Sequence, residues 1–312
     1  MTHSLEEVIV GLAYIISALI MTAIYIPTLK VMLTSEELSR KSCYQLMFHL
    51  GLADLLQLFC LTICGILILG HIDLSTTFCK ALGGLAGAAW SSYIAFTTMI
   101  AFNRFSFHYL EVYWMYIFSA RNTKIWIAVC WLWGGMWLGV FLTPWTGMTF
   151  YLTAYAISYD MYLPMSPQLQ KVDFWVNSVF LLLLALFLYL AMIYKIKVMH
   201  SMMGDLDGVE NRKREVKLAA QVVLIWFSAA FLTCSWHLYQ YVLPDNRLTY
   251  FALQMMWIGN SGINPLIYLT MNSIIKREVL ALFGRKGPIK VKPSDKHDTD
   301  KHPTNLHQHY HD

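Results

Sequence analysis

Asp54, in Leu50-Gly-Leu-Ala-Asp54, is the only acid deep inside a long apolar run of this chain. An ionisable group in hydrocarbon is costly and calls for a partner that offsets the cost. Far along the chain, Asn260, Ser261, Asn264 and Tyr268 surround Pro265. Positions 260, 264 and 268 recur at i, i+4 and i+8, one face of a helix. A carboxylate beside amides and hydroxyls is an oxygen-rich set suited to a sodium ion or to a proton. The plainer alternative is a packing network that satisfies the backbone carbonyl freed by Pro265. A buried acid is expensive for packing alone, which favours the ion or proton. A second group is Ala101-Phe-Asn-Arg104, which sets an arginine where an apolar run meets polar sequence. A third is polar or aromatic: Trp90, Ser91 and Tyr93, then His237, Tyr239, Gln240 and Tyr241, then Gln254 and Trp257. Each of these suits a ligand contact or an interfacial anchor equally well.

The elements that carry these residues are long and apolar. The 312 residues are 57% hydrophobic and 13% charged, with a mean hydropathy of +0.48, whereas soluble domains are roughly 25% charged. Seven apolar runs stand out: 8–31, 44–69, 78–105, 125–144, 174–194, 218–242 and 250–271. Each is near or above the roughly 20 residues of a spanning helix. Phe78–Arg104 would be roughly 40 Å long as a helix. Its Gly83, Gly84, Gly87, Ala88 and Ala89 permit close helix approach, so this run is expected at the centre of the bundle. A central helix with an arginine at one end suits a signalling receptor.

With the N-terminus placed outside, 20 of the 23 Lys and Arg residues fall on inside segments, leaving Lys80, Lys171 and Arg247 outside. The positive-inside rule then puts the C-terminus in the cytoplasm. Ser273–Gly284 is expected to form a short amphipathic helix on the membrane surface, with Ile275, Val279, Leu282 and Phe283 on one face. Residues 1–284 thus read as one seven-span domain, and 285–312 as a disordered cytoplasmic tail. The basic tail suits anionic lipid. Its five histidines are too loosely spaced to specify a metal site.

Other classes fare worse. The six cysteines show neither CxxC nor Cys/His ligand spacing. No nucleophile–base pair appears, and Gly83-Gly-Leu-Ala-Gly87 is not a phosphate loop, so an enzyme is disfavoured. A transporter or channel using Asp54 would want further ionisable residues along a path; only His49 and His237 are found, and the halves show no repeat. Nothing argues for nucleic acid. No acid other than Asp54 lies within the marked spans, so the expected ligand is small and neutral or weakly polar.

Asp54, Cys79 lying 25 residues before Arg104, Trp131, and Asn264-Pro-Leu-Ile-Tyr268 together resemble the rhodopsin-like seven-helix receptors over about 44–283. Within them, Ser42-Cys-Tyr-Gln-Leu-Met-Phe48, Ala101-Phe-Asn-Arg104 and Tyr268-Leu-Thr-Met-Asn272 are similar to the nematode serpentine chemoreceptors, class T. The resemblance implies an all-α membrane receptor in the plasma membrane, with sensory cilia as a specific location. Its implied partners are a heterotrimeric G protein and a small ligand, with a receptor dimer left open. It implies that Arg104 contacts the G protein and that Asp54, Asn260, Ser261 and Asn264 line a sodium pocket. Tyr268 would swing on activation, and Trp236 would floor the ligand pocket. The chain also departs from the wider pattern. Asn103 stands where an acid is usual, Leu238 where a proline is usual, and Ala86 where amine receptors carry aspartate. Cys79 has no partner between Trp145 and Gln170. Two expectations follow: a resting state with appreciable basal activity, and an outer loop held by packing alone.

Overall fold

The computed structural model describes residues 4–202 and 209–284; the expected tail at 285–312, with its histidines, lies outside the described residues. The chain forms α1 (Leu5–Thr34), α2 (Glu36–Ser39), α3 (Ser42–Leu69), α4 (Thr76–Tyr109), α5 (Glu111–Ile117) and α6 (Ala120–Phe141). A hairpin of β1 (Met148–Tyr151) and β2 (Ala156–Tyr159) follows. Then α7 (Ser166–Asp173) passes through a π-helical segment, Phe174–Leu181, into α8 (Leu182–Met202). Last come α9 (Val209–Val242), α10 (Arg247–Met271) and α11 (Ser273–Leu282). The seven spans are α1, α3, α4, α6, α7–α8, α9 and α10. Six are both long and apolar enough to cross a bilayer. The seventh, α10, is long enough at 25 residues, but buried Gln254, Asn260, Ser261 and Asn264 dilute its apolar character.

The expected central helix is α4, which packs on α3, α6, α8, α9 and β1. Its small residues explain the closeness. A Cβ at Gly83 would sit 2.6 Å from the Met148 carbonyl oxygen of β1, and one on Gly134 of α6 would sit 2.6 Å from the Ala88 carbonyl oxygen. Both distances are too short for a side chain, so glycine lets the hairpin and α6 lie directly on α4.

The hairpin was not anticipated from the sequence. Its strands pair antiparallel, Met148 with Tyr159 and Tyr151 with Ala156. It is tied down on its far side as well: the Tyr14 hydroxyl of α1 donates to the Tyr155 carbonyl at 2.9 Å, and Arg247 of α10 donates to the Tyr155 hydroxyl at 3.2 Å. The six cysteines are all free, so packing and hydrogen bonds alone hold this cover.

At the opposite end, Asn272 ends α10 and starts α11. Its side-chain oxygen accepts from the Ile274 and Ile275 amides, and its nitrogen donates to the Tyr44 hydroxyl at 3.0 Å. Ile274, Ile275 and Val279 of α11 are buried, while Leu282 and Phe283 are exposed at its end. The helix stops before Gly284, whose φ of 73° is left-handed. Arg277 reaches Glu37 of α2 at 3.2 Å.

Candidate functional site

Beneath the hairpin lies a cavity with about 100 Å³ of space for the centre of a water-sized sphere. One water needs ~10–15 Å³ on that measure, so a compact organic molecule fits. Three tryptophans from three helices form an aromatic wall. Trp257 of α10 stands edge-on to Trp90 of α4 and to Trp236 of α9, with centroids 6.2 Å apart in both pairs. His237, Tyr239, Phe141 and Met148 line the cavity too. Of the ligand candidates read from the sequence, Trp90, Trp236, His237 and Trp257 therefore meet at one cavity. Ser91, Tyr93 and Gln254 are buried in the bundle but do not line it, and Gln240 is exposed.

The polar wall holds residues the sequence reading passed over. Asp173 is 9% exposed and lines the cavity. It accepts from the Tyr159 hydroxyl of β2 and from the Asn177 amide, each at 2.6 Å. Asn177 sits within the π-helical segment, fully buried, and also accepts from the Trp133 indole at 2.9 Å and donates to the Ser91 hydroxyl at 3.3 Å. Burial, and then the adjacent Asp173 carboxylate, push the Tyr159 phenol well above the usual tyrosine range. Tyr159 thus stays a donor. This corrects the expectation that Asp54 is the only acid within the spans. The fifth helix begins at Ser166, before the apolar run that marked it, so the argument against a cationic ligand loses its premise.

The cavity floor connects to Asp54. The Trp257 indole donates to Gln57 at 2.6 Å, and Gln57 lies one helical turn beyond Asp54 on α3. Asp54 is fully buried. One of its oxygens, Oδ2, accepts from Asn264 of α10 at 2.8 Å and from Tyr25 of α1 at 2.6 Å. Tyr25 was missed in the sequence, where nothing in its apolar run says which way it faces. The other carboxylate oxygen, the Asn260 amide, the Ser261 hydroxyl and the Asn264 amide oxygen are all buried without a protein hydrogen-bond partner. The Tyr93 and Tyr268 hydroxyls are in the same condition, and both lie within electrostatic reach of Asp54. The unpaired Asp54 Oδ1 and the amide oxygen of Asn264, its bonded neighbour, suit a hard cation such as sodium, which takes oxygen ligands.

Tyr268 also lies near Cys43 and Tyr189. Arg104 is close to the same pair and within hydrogen-bond reach of the Cys43 thiol. Asn103 does not face empty space: it is 2% exposed and donates to the Ser42 hydroxyl at 3.0 Å, pinning α4 to the start of α3. A succession of polar groups thus runs from Trp257 and Gln57 past Asp54 and Tyr268 to Cys43 and Arg104.

The fold is that of known receptors. Squid rhodopsin superposes with a TM-score of 0.70 over 89% of this chain and 80% of its own, at 14% sequence identity. A search of curated proteins found no match. The profile of the serpentine type seven-transmembrane GPCR chemoreceptor family Srt matches residues 1–292. With seven spans, an α11 lying across one end and a match over nearly the whole described chain, this multi-pass membrane protein belongs to the Srt family of serpentine GPCR chemoreceptors.

Proposed function

We propose that this chemoreceptor binds a small molecule in the tryptophan-walled cavity and activates a heterotrimeric G protein at the Arg104 end. The carrying observation is the succession of polar groups through the bundle: the Trp257–Gln57 bond at the cavity floor, the Asp54–Asn264 bond one turn away on α3, then Tyr268, Cys43 and Arg104, each within electrostatic reach of the one before. Ligand pressing on Trp236 and Trp257 favours one arrangement of α9 and α10. That arrangement is read at the other end as a changed exposure of Arg104. The two affinities are then reciprocally coupled. The positive-inside distribution of Lys and Arg orients the chain with its N-terminus and hairpin outside and α11 on the cytoplasmic face of the plasma membrane. There the exposed Leu282 and Phe283 meet lipid.

Asp54 is the sodium site of this reading. Asp54 Oδ1, Ser261 Oγ and the Asn260 and Asn264 amide oxygens would hold the ion. Bound sodium would supply the positive charge that offsets a buried carboxylate. The test is nucleotide exchange on a panel of Gα subunits, using membranes bearing the receptor or Arg104→Ala, with and without a mixture of small volatile compounds. Exchange that disappears with Arg104→Ala supports coupling; receptor at the cell surface that drives none of the Gα subunits refutes it.

A further inference from the structure

The polar wall of the cavity specifies the charge of its ligand. Asp173 puts a carboxylate at the edge of a chamber whose other walls are mostly aromatic: Trp90, Trp236, Trp257, Tyr239 and Phe141. No lysine or arginine lines it. Among the described residues, the groups that bond Asp173 are two neutral donors, Tyr159 and Asn177. They take one lone pair on each carboxylate oxygen, leaving about two acceptor positions of roughly four. A buried carboxylate requires a compensating charge, and nothing in the lining provides a fixed one. Aromatic faces around that carboxylate attract a cation further.

Resting on the cavity as the ligand site proposed above, we infer that the receptor takes a small monocationic amine, its ammonium group on Asp173 and its apolar body against Trp90, Trp236 and Trp257. The cavity admits a molecule of about seven to ten non-hydrogen atoms, judged against the ~10–15 Å³ that one water needs. The carboxylate is held from beneath. Asn177, four residues on from Asp173, lies beneath its carboxylate, and the Trp133 indole and Ser91 hold that amide. The carboxylate is therefore oriented before any ligand arrives. Orientation in advance lowers the cost of binding.

The test uses the full-length receptor in lipid nanodiscs and two probes of equal size, phenethylamine at neutral pH and its uncharged counterpart propylbenzene, titrated calorimetrically. Phenethylamine is expected to bind at least ~10-fold more tightly, given the worth of a charge-assisted hydrogen bond. Asp173→Asn keeps the shape. It should weaken phenethylamine by about 10- to 100-fold and leave propylbenzene within about twofold. Tyr159→Phe, which keeps the charge, should retain the preference for the amine. Trp236→Ala should weaken both probes. Equal binding of the two probes, or a preference that survives Asp173→Asn, overturns the charge assignment; if both probes still depend on Trp236, the cavity stands as the ligand site. Binding of neither probe overturns the charge assignment and the cavity reading together.

Discussion

Tyr25→Phe deletes one hydroxyl and tests whether Asp54 is ionised. The phenol donates to Asp54 at 2.6 Å between α1 and α3, and both residues are fully buried. A neutral hydrogen bond between membrane helices couples its partners by about 0.6 kcal/mol, because the unfolded chain in a membrane finds other partners. A bond to a charged acceptor contributes about 1.5–3 kcal/mol. The size of the coupling therefore separates a sodium-paired carboxylate from a protonated acid. The measurement is a double-mutant cycle of Tyr25→Phe and Asp54→Ala, which leaves no acceptor for the phenol. Unfolding is driven by rising dodecyl sulfate in mixed micelles, supplied as its N-methylglucamine salt in the sodium-free arm, and followed by far-UV circular dichroism. In sodium chloride the coupling should be about 1.5 kcal/mol or more; with N-methylglucamine as the only cation it should fall toward ~0.6 kcal/mol as the acid takes up a proton. A coupling of about 0.6 kcal/mol that ignores sodium would refute the sodium site and make Asp54 a proton carrier. A coupling indistinguishable from zero would refute the hydrogen bond itself.

Asn103→Asp restores an acid beside Arg104 and should lower ligand-free nucleotide exchange; an unchanged or raised basal rate counts against restraint by that acid. Gly83→Val forces a side chain into the Met148 carbonyl, so the hairpin must lift at a cost of about 1–3 kcal/mol, seen as a lower unfolding midpoint and weaker ligand binding. Dithiothreitol should leave the ligand response intact, since every cysteine is free; abolition by mild reduction would show a bond between molecules. Because the Tyr159 phenol is held well above the usual tyrosine range, the folded state keeps a proton that the unfolded chain loses near pH 10. Its contribution to stability is thus present below that pH and lost above it, and Tyr159→Phe should flatten the alkaline decline.

The spans and the Asp54–Asn264 pairing were legible because both are governed by cost. Apolar length declares a helix in lipid, and an acid within one must have partners. Tyr25 was not legible, since a tyrosine in an apolar run does not announce whether it faces lipid or a neighbour; only the rotation of α1 against α3 decides that. Asp173 was hidden by the boundary of an apolar run, because hydropathy ends where the lipid ends and the helix continues to Ser166. The four-residue strands of the hairpin carry too few residues for alternation to stand out. Their stability comes from the floor that Gly83 opens on α4 and from the Tyr14 bond, contacts distant in sequence. The neighbours of Arg104, Cys43 and Tyr189, are likewise set by how α3 and α8 pack on α4.

The π-helical segment at Phe174–Leu181 bears on how such a receptor changes its preference over generations. A π turn accommodates one residue more than an α turn. Deleting one residue there would let the segment relax to an α-helix with the stretches on either side facing nearly as before, since the wider turn had absorbed the extra residue. Asp173 and α8 would keep their places in the bundle, and only the side chains within the turn would be re-aimed. A lineage could therefore retune the polar wall of the cavity by a single in-frame codon deletion within the turn, without disturbing Trp90, Trp236 or Trp257.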